Sequence, residues 1–284
     1  MEQSSLDFKT ITVEFADNGV ATLTLNRPKM LNAFSYPLMC ELKEALTYLG
    51  SPGNDEDVRV VVVKGNGKAF SSGLDLTDTS ESFSEPVEEH GPDVARKAIE
   101  ITKYVESCQQ TMSAAEECRV PVIVALHGYC FGAAIDFSSA CDIRLAAKDA
   151  KMSIREVEAG MVSDFGTLQR FDRKVGNSSW FRELSYTGRF FYPEEAKKHG
   201  FITNIYETKE ELHKAAHELA DVIASKSPVA VVGSKASMNF SQDHSVSDGL
   251  THIRMMNSSL LQSEDTVIAA MASLSKQVPK FSKL

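Results

Sequence analysis

Regular alternation of hydrophobic and polar residues marks the first elements of the chain. ITVEF at 11–15 alternates, the turn-forming Asp-Asn-Gly follows at 17–19, and VATLTL at 20–25 continues as a second strand, which predicts an N-terminal hairpin. Two later runs, VRVVVVKG at 58–65 and VPVIVALHG at 120–128, are almost entirely apolar. Such runs are typical of strands that are buried on both faces of a sheet.

Helical spacing alternates with these strands. Ser35 is a suitable N-cap for a helix over YPLMCELKEALTYL at 36–49, with Pro37 in its first turn. Small residues in GYCFGAAIDFSSACD at 128–142 predict a tightly packed helix. From 94 to 115, apolar residues recur at alternating spacings of four and three, which predicts one apolar helical face. The residues of this face are Val94, Ala98, Ile101, Val105, Cys108, Met112 and Ala115.

The order of these elements predicts the fold class. Strand and helix units recur, which favours a layered α/β architecture. The strand patterns then stop, and 209–224 and 250–274 have helical periodicity. We therefore predict a core at 1–206 and a separate helical region at 207–284, whose Met-rich faces are suited to packing against another subunit. The acidic, turn-rich segment 77–92 predicts a mobile surface loop.

Composition and charge narrow the function classes. The 284 residues carry 30 Lys and Arg against 39 Asp and Glu, a net charge of −9, and no basic run suggests a nucleic-acid partner. Five cysteines without paired spacing argue against a disulfide framework or a zinc knuckle, and they fit a reducing compartment. We find no secretory leader pattern and no apolar run of membrane-spanning length in the sequence, so we expect neither a secretory leader nor a membrane span.

Several motifs resemble known sites only superficially. GYCFGAA at 128–134 has the wrong glycine spacing for a dinucleotide-binding turn, and GNGKAF at 65–70 lacks the first Gly and the Ser or Thr of a phosphate loop. His213 and His217 are four residues apart, but no third ligand is evident, and a solvated helix face is the interpretation that we favour over a metal site.

Two turns rich in small residues remain as candidates. FSSGLD at 70–75 and FGAAID at 131–136 each follow a predicted buried strand, and two N–H groups that converge from such turns would form an oxyanion hole. Ordinary strand-to-helix turns are the alternative. Ser71 and Ser72 are weak nucleophile candidates, because no G-x-S-x-G motif accompanies them.

Four blocks in sequence order resemble the crotonase, or enoyl-CoA hydratase/isomerase, family. They are LTLNRPKMLNAF at 23–34, KAFSSGLDL at 68–76, PVIVALHGYCFGAAIDFSSACDIRLAAKDA at 121–150 and VGNSSWFRELSYTGRFFYPEEAKKHGFI at 175–202. The resemblance implies a spiral of repeated ββα units, a C-terminal helical trimerisation region and an acyl-CoA thioester as substrate. It implies no metal and no redox cofactor, and coenzyme A enters only as part of the substrate.

The resemblance also implies site residues. The N–H groups of Leu74 and Ala133 match the pair that binds the thioester oxygen, although Gly132-Ala133-Ala134 stands where many relatives have three glycines. Asp136 and Glu156 match the two hydratase carboxylates, with Asp136 one methylene shorter than the usual Glu. The remaining residues, implied to bind substrate or coenzyme A, are Lys29, Ala33, Ser72, Gly73, Asp75, Leu76 and Ala134.

The combination of Asp136 and Glu156 with a third acid, Asp164, resembles the branch of the family that isomerises 3,5-dienoyl-CoA to 2,4-dienoyl-CoA. This reaction takes a proton from the alpha carbon and delivers one at the epsilon carbon, and one carboxylate can hardly reach both. Glu156 and Asp164 would exchange these protons, Asp136 would tune or orient Glu156, and the sequence does not decide which acid serves which carbon. Glu158 is interpreted as a solvent-facing or salt-bridged acid.

Two other functions stay open at this point. An enoyl-CoA hydratase would use Asp136 and Glu156 alone, and a catalytically silent acyl-CoA-binding scaffold would use neither. The tripeptide Ser282, Lys283 and Leu284 matches a peroxisomal address, so we expect an import receptor as a partner and a peroxisome or a related, glycosome-like microbody as the location. A homotrimer or a dimer of trimers is expected, and the acyl chain length is left open.

Overall fold

Six strands form the main sheet of the computed structural model, which describes residues 7–52, 56–77 and 93–284. The predicted surface loop at 77–92 lies outside these residues except for Thr77. The first two strands pair antiparallel and all other neighbours in this sheet pair parallel. In sheet order the strands are β1 (Ile11–Phe15), β2 (Val20–Leu25), β3 (Val60–Gly65), β4 (Val122–Leu126), β6 (Ile143–Ala147) and β8 (Asn204–Tyr206), while β5 (Tyr129–Phe131) and β7 (Lys151–Ser153) form a separate parallel pair.

Helices cover the sheet and continue beyond it toward the C-terminus. Those before the last strand are α1 (Tyr36–Gly50), α2 (Val94–Glu117), α3 (Ala133–Ala140), α4 (Thr167–Lys174), α5 (Ser178–Thr187) and α6 (Pro193–Lys198). Those after it are α7 (Lys209–Ala224), α8 (Pro228–Phe240), α9 (Val246–Leu260) and α10 (Glu264–Ser275). Two short 3₁₀ helices, Pro28–Met30 and Glu156–Ala159, lie in the turns.

Strand β3 shows why the central strands contain no polar alternation. Val61 and Val63 belong to the larger hydrophobic cluster, which contains residues of α1, α2 and α3. Val60 and Val62 belong to the second cluster, together with the buried face of α7. Each face of the strand is therefore covered, as its continuous apolar run predicts.

Most predicted elements are confirmed, and three need correction. The hairpin, both buried strands, α7 and the Ser35 cap are present, with Ser35 Oγ accepting from the Leu38 N–H. The segment 128–142, predicted as one helix, contains strand β5, which pairs with β7, and the helix starts only at Ala133. The apolar face of α2 is buried only in its C-terminal half, since Val94 is 78% exposed whereas Met112 is fully buried. The predicted helix at 250–274 is two helices, because Ser263 begins α10 as its N-cap.

The contacts of the C-terminal helices differ from one helix to the next. Helix α7 packs against the sheet through residues that include Leu212 and Ala216. Helix α8 is anchored by buried Lys235, whose Nζ contacts Asp142 Oδ2 at 2.7 Å and donates to the carbonyl oxygens of Ala115 and Val120. The boundary at residue 206 stays a prediction, and α7 shares its second hydrophobic cluster with the core strands. Leu250, Met255, Val267, Met271 and Leu274 of α9 and α10 are exposed.

His213 and His217 correct another expectation. They do not form a solvated face, because both are half-buried on the side of α7 that faces the sheet. The ring of His213 packs edge-on against His127 with centroids 5.6 Å apart, and His217 Nε2 lies 3.0 Å from Thr22 Oγ1. Across the described ranges no group of three or more His, Cys, Asp or Glu side chains is placed to hold a metal ion.

A ladder of paired turns connects successive strand units. Phe34 forms a parallel bridge with Leu74, Ser71 forms one with Cys130, and Met152 bridges to Phe191. The Gly132 N–H donates to the Ser153 carbonyl oxygen at 3.0 Å, which joins the turn after β5 to the end of β7. Each unit is thus laid beside the previous one, so residues far apart in sequence reach the same end of the sheet. Within the described part of the chain, no helix has the length and apolar character needed to cross a membrane.

Buried Asn32 joins the first two turns of this ladder. Its Nδ2 donates to the carbonyl oxygens of Asn66 and Ala69 at 2.8 and 2.9 Å, and its Oδ1 accepts from the Arg27 N–H at 2.8 Å. Its φ of 53° lies in the left-handed region, which Asn tolerates better than most residues. A side chain without an amide would leave three backbone groups unsatisfied.

We expect Asn32→Ala to lower the free energy of unfolding by about 3 kcal/mol, because buried donors and acceptors lose their partners and Ala is strained at a positive φ. Urea unfolding monitored by circular dichroism measures the change. Asn66→Ala is the control, since the Asn66 side chain is exposed and donates to the Asn26 side chain. An Asn32→Ala protein as stable as the control would contradict this role.

Candidate active site

A cavity of about 360 Å³ lies where the turns after β3 and β5 meet α2 and the segment 155–165. Its wall includes both predicted amide positions and all three predicted acids. The rest of the wall is largely apolar, with Tyr104, Val105, Met161, Val162 and Phe165 among its members. A concave, mostly apolar site with a few convergent polar groups is the usual form of a small-molecule pocket.

The two amide turns are in direct contact. Gly73 has a φ of +100°, and a Cβ at this position would lie 2.8 Å from the Phe131 carbonyl oxygen and 3.9 Å from the Ala133 nitrogen. A side chain at Gly73 would therefore separate the turns. This close approach brings the backbone around Leu74 next to the beginning of α3.

Both predicted N–H groups are free to bind a ligand. The ladder uses the carbonyl of Gly73 and the N–H of Asp75, both bonded to Phe34, and it leaves the Leu74 N–H without an acceptor among the described residues. Ala133 is the first residue of α3, where backbone N–H groups have no intrahelical acceptor. Two such donors in a largely apolar cavity can stabilise a developing oxyanion.

Asp136 is the most buried of the three acids. It lies in the first turn of α3 and is 1% exposed, and its Oδ1 accepts from the Thr167 N–H at 2.7 Å. Burial, with the nearby Glu156 carboxyl as the second cause, raises the pKa of Asp136 to about 7. Near neutral pH this carboxyl is therefore divided between its protonated and ionised forms.

Glu156 begins the 3₁₀ helix Glu156–Ala159 and reaches toward the start of α3. A Cβ on Gly132 would lie 3.2 Å from Glu156 Oε1, and the positive φ of 49° at this position also favours Gly. Glu156 Oε2 is buried and has no hydrogen-bond partner among the described residues. Burial raises the pKa of Glu156, so this oxygen is suited to exchanging a proton with a substrate carbon.

Asp164 occupies the exposed end of the acid group. Its side chain is exposed, and its backbone carbonyl accepts from Gln109 Nε2 at 2.7 Å. Partial burial against the cavity wall raises the pKa of Asp164, and its charge contributes to the raised pKa values of Asp136 and Glu156. Because burial raises the pKa of all three carboxyls to different extents, the cavity can hold a proton donor and a proton acceptor at the same pH.

The predicted substrate-binding residues divide into two groups. Ser72, Gly73 and Leu76 line the cavity together with Leu74, whereas Lys29, Ala33, Asp75 and Ala134 do not. The Asp75 carboxylate instead pairs with Arg27 at 3.0 Å and accepts from Thr77, and Ala134 is fully buried in the core. Lys29 is exposed on the turn Pro28–Met30, where its contact with coenzyme A stays a prediction.

Two features of the site were not predicted from the sequence. The Thr167 N–H holds Asp136, but a backbone donor 31 residues away leaves no sequence signal. Arg155 lines the cavity, pairs with Glu158 and packs over two phenylalanine rings. Its position before Glu156 gave no reason to single it out, whereas the predicted salt-bridge role of Glu158 is confirmed.

Comparisons with known proteins agree with this geometry. A family model described as enoyl-CoA hydratase/isomerase matches residues 16–283. The chain is 39% identical over 286 residues to the mitochondrial Delta(3,5)-Delta(2,4)-dienoyl-CoA isomerase of Rattus norvegicus, covering 100% of this chain and 86% of that protein. It is 38% identical to the peroxisomal enzyme of the same name from Arabidopsis thaliana, covering 98% of each.

A solved structure supports the fold. The chain superposes on an enoyl-CoA hydratase from Bacillus anthracis with a TM-score of 0.85 at 27% identity, covering 97% of this chain and 100% of the other. The predicted spiral α/β architecture is confirmed by this likeness, and the trimerisation role of the C-terminal helices stays a prediction.

We expect Asp136→Asn to stabilise the protein at high pH. The pKa of Asp136 rises from 3.8 to about 7 on folding, so the folded state binds more protons between these values and wild-type stability falls as the pH rises through this window. Asn does not ionise and keeps an oxygen for the Thr167 N–H. Its advantage in unfolding free energy should be on the order of 3 kcal/mol at pH 8 and smaller at pH 5.

Urea unfolding at both pH values measures this difference. Exposed Asp172→Asn serves as the control and should show no pH-dependent advantage. An Asp136→Asn variant that is destabilised equally at pH 5 and pH 8 would contradict the cost assigned to the buried carboxyl.

Proposed function

Because the chain belongs to the enoyl-CoA hydratase/isomerase family, we propose that it is an isomerase that converts 3,5-dienoyl-CoA to 2,4-dienoyl-CoA in fatty-acid β-oxidation. The observation that carries this proposal is the third acid: Asp164 lines the same cavity as Asp136 and Glu156. Relatives named for this reaction match nearly the full chain at up to 39% identity. Acyl-CoA thioesters are the substrate class of the family, and the paired amide turns are suited to binding a thioester oxygen.

The reaction divides naturally among the groups of the cavity. One carboxylate takes a proton from the alpha carbon, and the C–H electrons form an enolate whose charge rests mainly on the thioester oxygen and extends by conjugation to the epsilon carbon. The N–H groups of Leu74 and Ala133 stabilise the resulting negative charge, and one such donor is typically worth about 3–4 kcal/mol. A second carboxyl then delivers a proton to the epsilon carbon, and both double bonds have moved one position toward the thioester.

Glu156 and Asp164 are the pair that we assign to these two proton transfers. Glu156 offers a buried Oε2 without a partner among the described residues, and its Oε1 lies close to Gly132, next to the Ala133 N–H, while Asp164 lies toward the exposed end. Asp136 is held by the Thr167 N–H, and burial together with the neighbouring Glu156 carboxyl raises its pKa to about 7. We assign it the role of tuning Glu156. No metal or further cofactor is required, because carboxyls and amides supply every step.

Hydration is the second candidate function. It is favoured by the likeness to the enoyl-CoA hydratase from Bacillus anthracis and by the presence of both predicted hydratase acids in one cavity. A hydratase needs only Asp136 and Glu156 to activate water, so the reaction does not use Asp164. An acyl-CoA-binding scaffold would need none of the three acids.

We expect Asp164→Asn and Glu156→Gln each to lower isomerase turnover by about 10²–10⁴-fold, since each removes one general acid or base. The assay follows absorbance at the longer wavelength of the 2,4-dienoyl product, with 3,5-dienoyl-CoA as substrate. Asp172→Asn is the control, because this acid is exposed and does not line the cavity. Its turnover should stay close to that of the wild type.

The same variants are assayed with an enoyl-CoA and water. Full hydration by Asp164→Asn together with no isomerisation by the wild type would replace the isomerase with the hydratase. A wild-type protein that binds acyl-CoA without turning over either substrate would establish the scaffold instead.

A peroxisomal location belongs to this proposal. Ser282, Lys283 and Leu284 are exposed, and the tail before them is held by a hydrogen bond from Arg59 to the Phe281 carbonyl oxygen at 2.9 Å. The Arabidopsis thaliana relative is named peroxisomal, whereas the animal relatives are named mitochondrial. An import receptor that reads this tripeptide is the partner that we propose, and a homotrimer or dimer of trimers is the proposed assembly.

We expect Leu284→Asp to move the protein from peroxisomes to the cytosol, since the receptor reads the terminal side chains. Fluorescence microscopy of the full chain with an N-terminal fluorescent tag measures the location. Val278→Asp is the control, because it introduces the same charge at another exposed position of the tail. Peroxisomal fluorescence that persists in Leu284→Asp would contradict the proposal.

A further inference from the structure

Arg155 joins two parts of the active site that come from different turns of the fold. Its guanidinium carbon lies 5.6 Å from the ring centre of Phe131 and 5.1 Å from the ring centre of Phe190. Both distances lie within the range of favourable cation–π interaction. The same guanidinium pairs with Glu158, one turn further along the 3₁₀ helix Glu156–Ala159.

The two rings are fixed by the ladder of turns. Phe131 ends β5 and directly precedes Gly132 and Ala133, so its backbone continues into the oxyanion turn. Phe190 directly precedes Phe191, which bridges to Met152 of β7. The ring centroids of Phe131 and Phe190 are 5.6 Å apart, and together they form an aromatic surface against which Arg155 packs.

Glu156 needs such support from its neighbours. Its Oε2 has no hydrogen-bond partner among the described residues, so that oxygen is not held in place by a direct bond. The carboxyl interacts with the side chains of Ser163 and Asp136. The backbone that carries it is held on one side by the Met161 N–H, which donates to the Glu156 carbonyl oxygen at 2.9 Å. Arg155 provides the hold on the other side.

We propose that Arg155 is a positioning residue that fixes Glu156 relative to the Ala133 N–H by clamping the acid turn onto the rings of Phe131 and Phe190. The inference rests on the proposed function only in taking Glu156 as a group that transfers a proton. A carboxylate and an oxyanion donor must be aligned to within a fraction of an ångström for efficient proton transfer. The contact of Arg155 with the two rings joins the turn that carries Glu156 to the turn that carries Ala133.

Lys151 offers a matched control within the same surface. Its Nζ lies 3.5 Å from the ring centre of Phe190, so it makes the same type of interaction with the same ring. It belongs to β7, however, and it does not line the cavity or contact the acid turn. A general loss of cation–π stabilisation should affect both residues, whereas a loss of positioning should affect only Arg155.

The experiment compares Arg155→Met, Arg155→Lys, Lys151→Met and Phe190→Leu by steady-state kinetics, with thermal unfolding of each variant to confirm that it is folded at the assay temperature. We expect Arg155→Met to lower kcat by at least about tenfold with KM changed less than about twofold, because alignment and not binding is lost. Arg155→Lys should recover part of this loss, and Lys151→Met should stay within about twofold of the wild type.

The double variant Arg155→Met/Phe190→Leu tests whether Arg155 and Phe190 act on kcat together or independently. If Arg155 acts through the ring, the double variant should lose no more kcat than Arg155→Met alone. The clamp is overturned if Lys151→Met lowers kcat as much as Arg155→Met, if KM rises while kcat is kept, or if the two losses multiply.

Two substrates keep this inference distinct from the proposed function. Each variant is assayed with a 3,5-dienoyl-CoA and with an enoyl-CoA plus water, since Glu156 acts in both reactions. A wild type active only on the second substrate would overturn the isomerase assignment and still test the clamp through kcat. A wild type inactive on both would overturn both proposals.

Discussion

Burial of like-charged carboxyls in one cavity is the constraint on which this site depends. A carboxylate prefers water, so an apolar wall raises its pKa, and each neighbouring acid raises it further. Asp136 shows the full effect, with a pKa of about 7 in a fully desolvated position, while Glu156 and Asp164 are shifted in the same direction. Because ionising these buried groups costs stability, some of them stay protonated near neutral pH while others are ionised. Such a cavity can offer both a proton donor and a proton acceptor to one substrate.

The ladder of turns makes this burial possible without disorder. Each parallel strand ends in a turn that bonds to the turn of the preceding unit, from Phe34 with Leu74 to Met152 with Phe191. Backbone hydrogen bonds thus fix the turns that carry the two proposed oxyanion donors, Leu74 and Ala133. Glycine is needed where the turns touch, as at Gly73 and Gly132, whereas Ala is accepted at 133 because an N–H group is all that position must provide.

The sequence predicts the fold well, and the three acids that it singles out line one cavity, but it predicts the surroundings of these acids poorly. Strand and helix boundaries follow from apolar periodicity and capping, which are local properties, and the family resemblance brings Asp136, Glu156 and Asp164 to one place. The Thr167 N–H, the Arg155 clamp and the Arg27 partner of Asp75 join residues by tertiary contact. The half-buried histidines of α7 were misjudged for the same reason, since a spacing of four does not reveal which face of a helix meets a sheet.

Lys235 has a consequence that reaches beyond its own helix. Its ammonium group binds three acceptors at once: Asp142 and the Val120 carbonyl, which precede strands β6 and β4, and the Ala115 carbonyl in α2. Apolar surfaces tolerate sliding, whereas three directional bonds oppose both rotation and translation of α8 along its axis. Because α9 packs against α8, a single buried ammonium helps to set the orientation of both helices relative to the sheet.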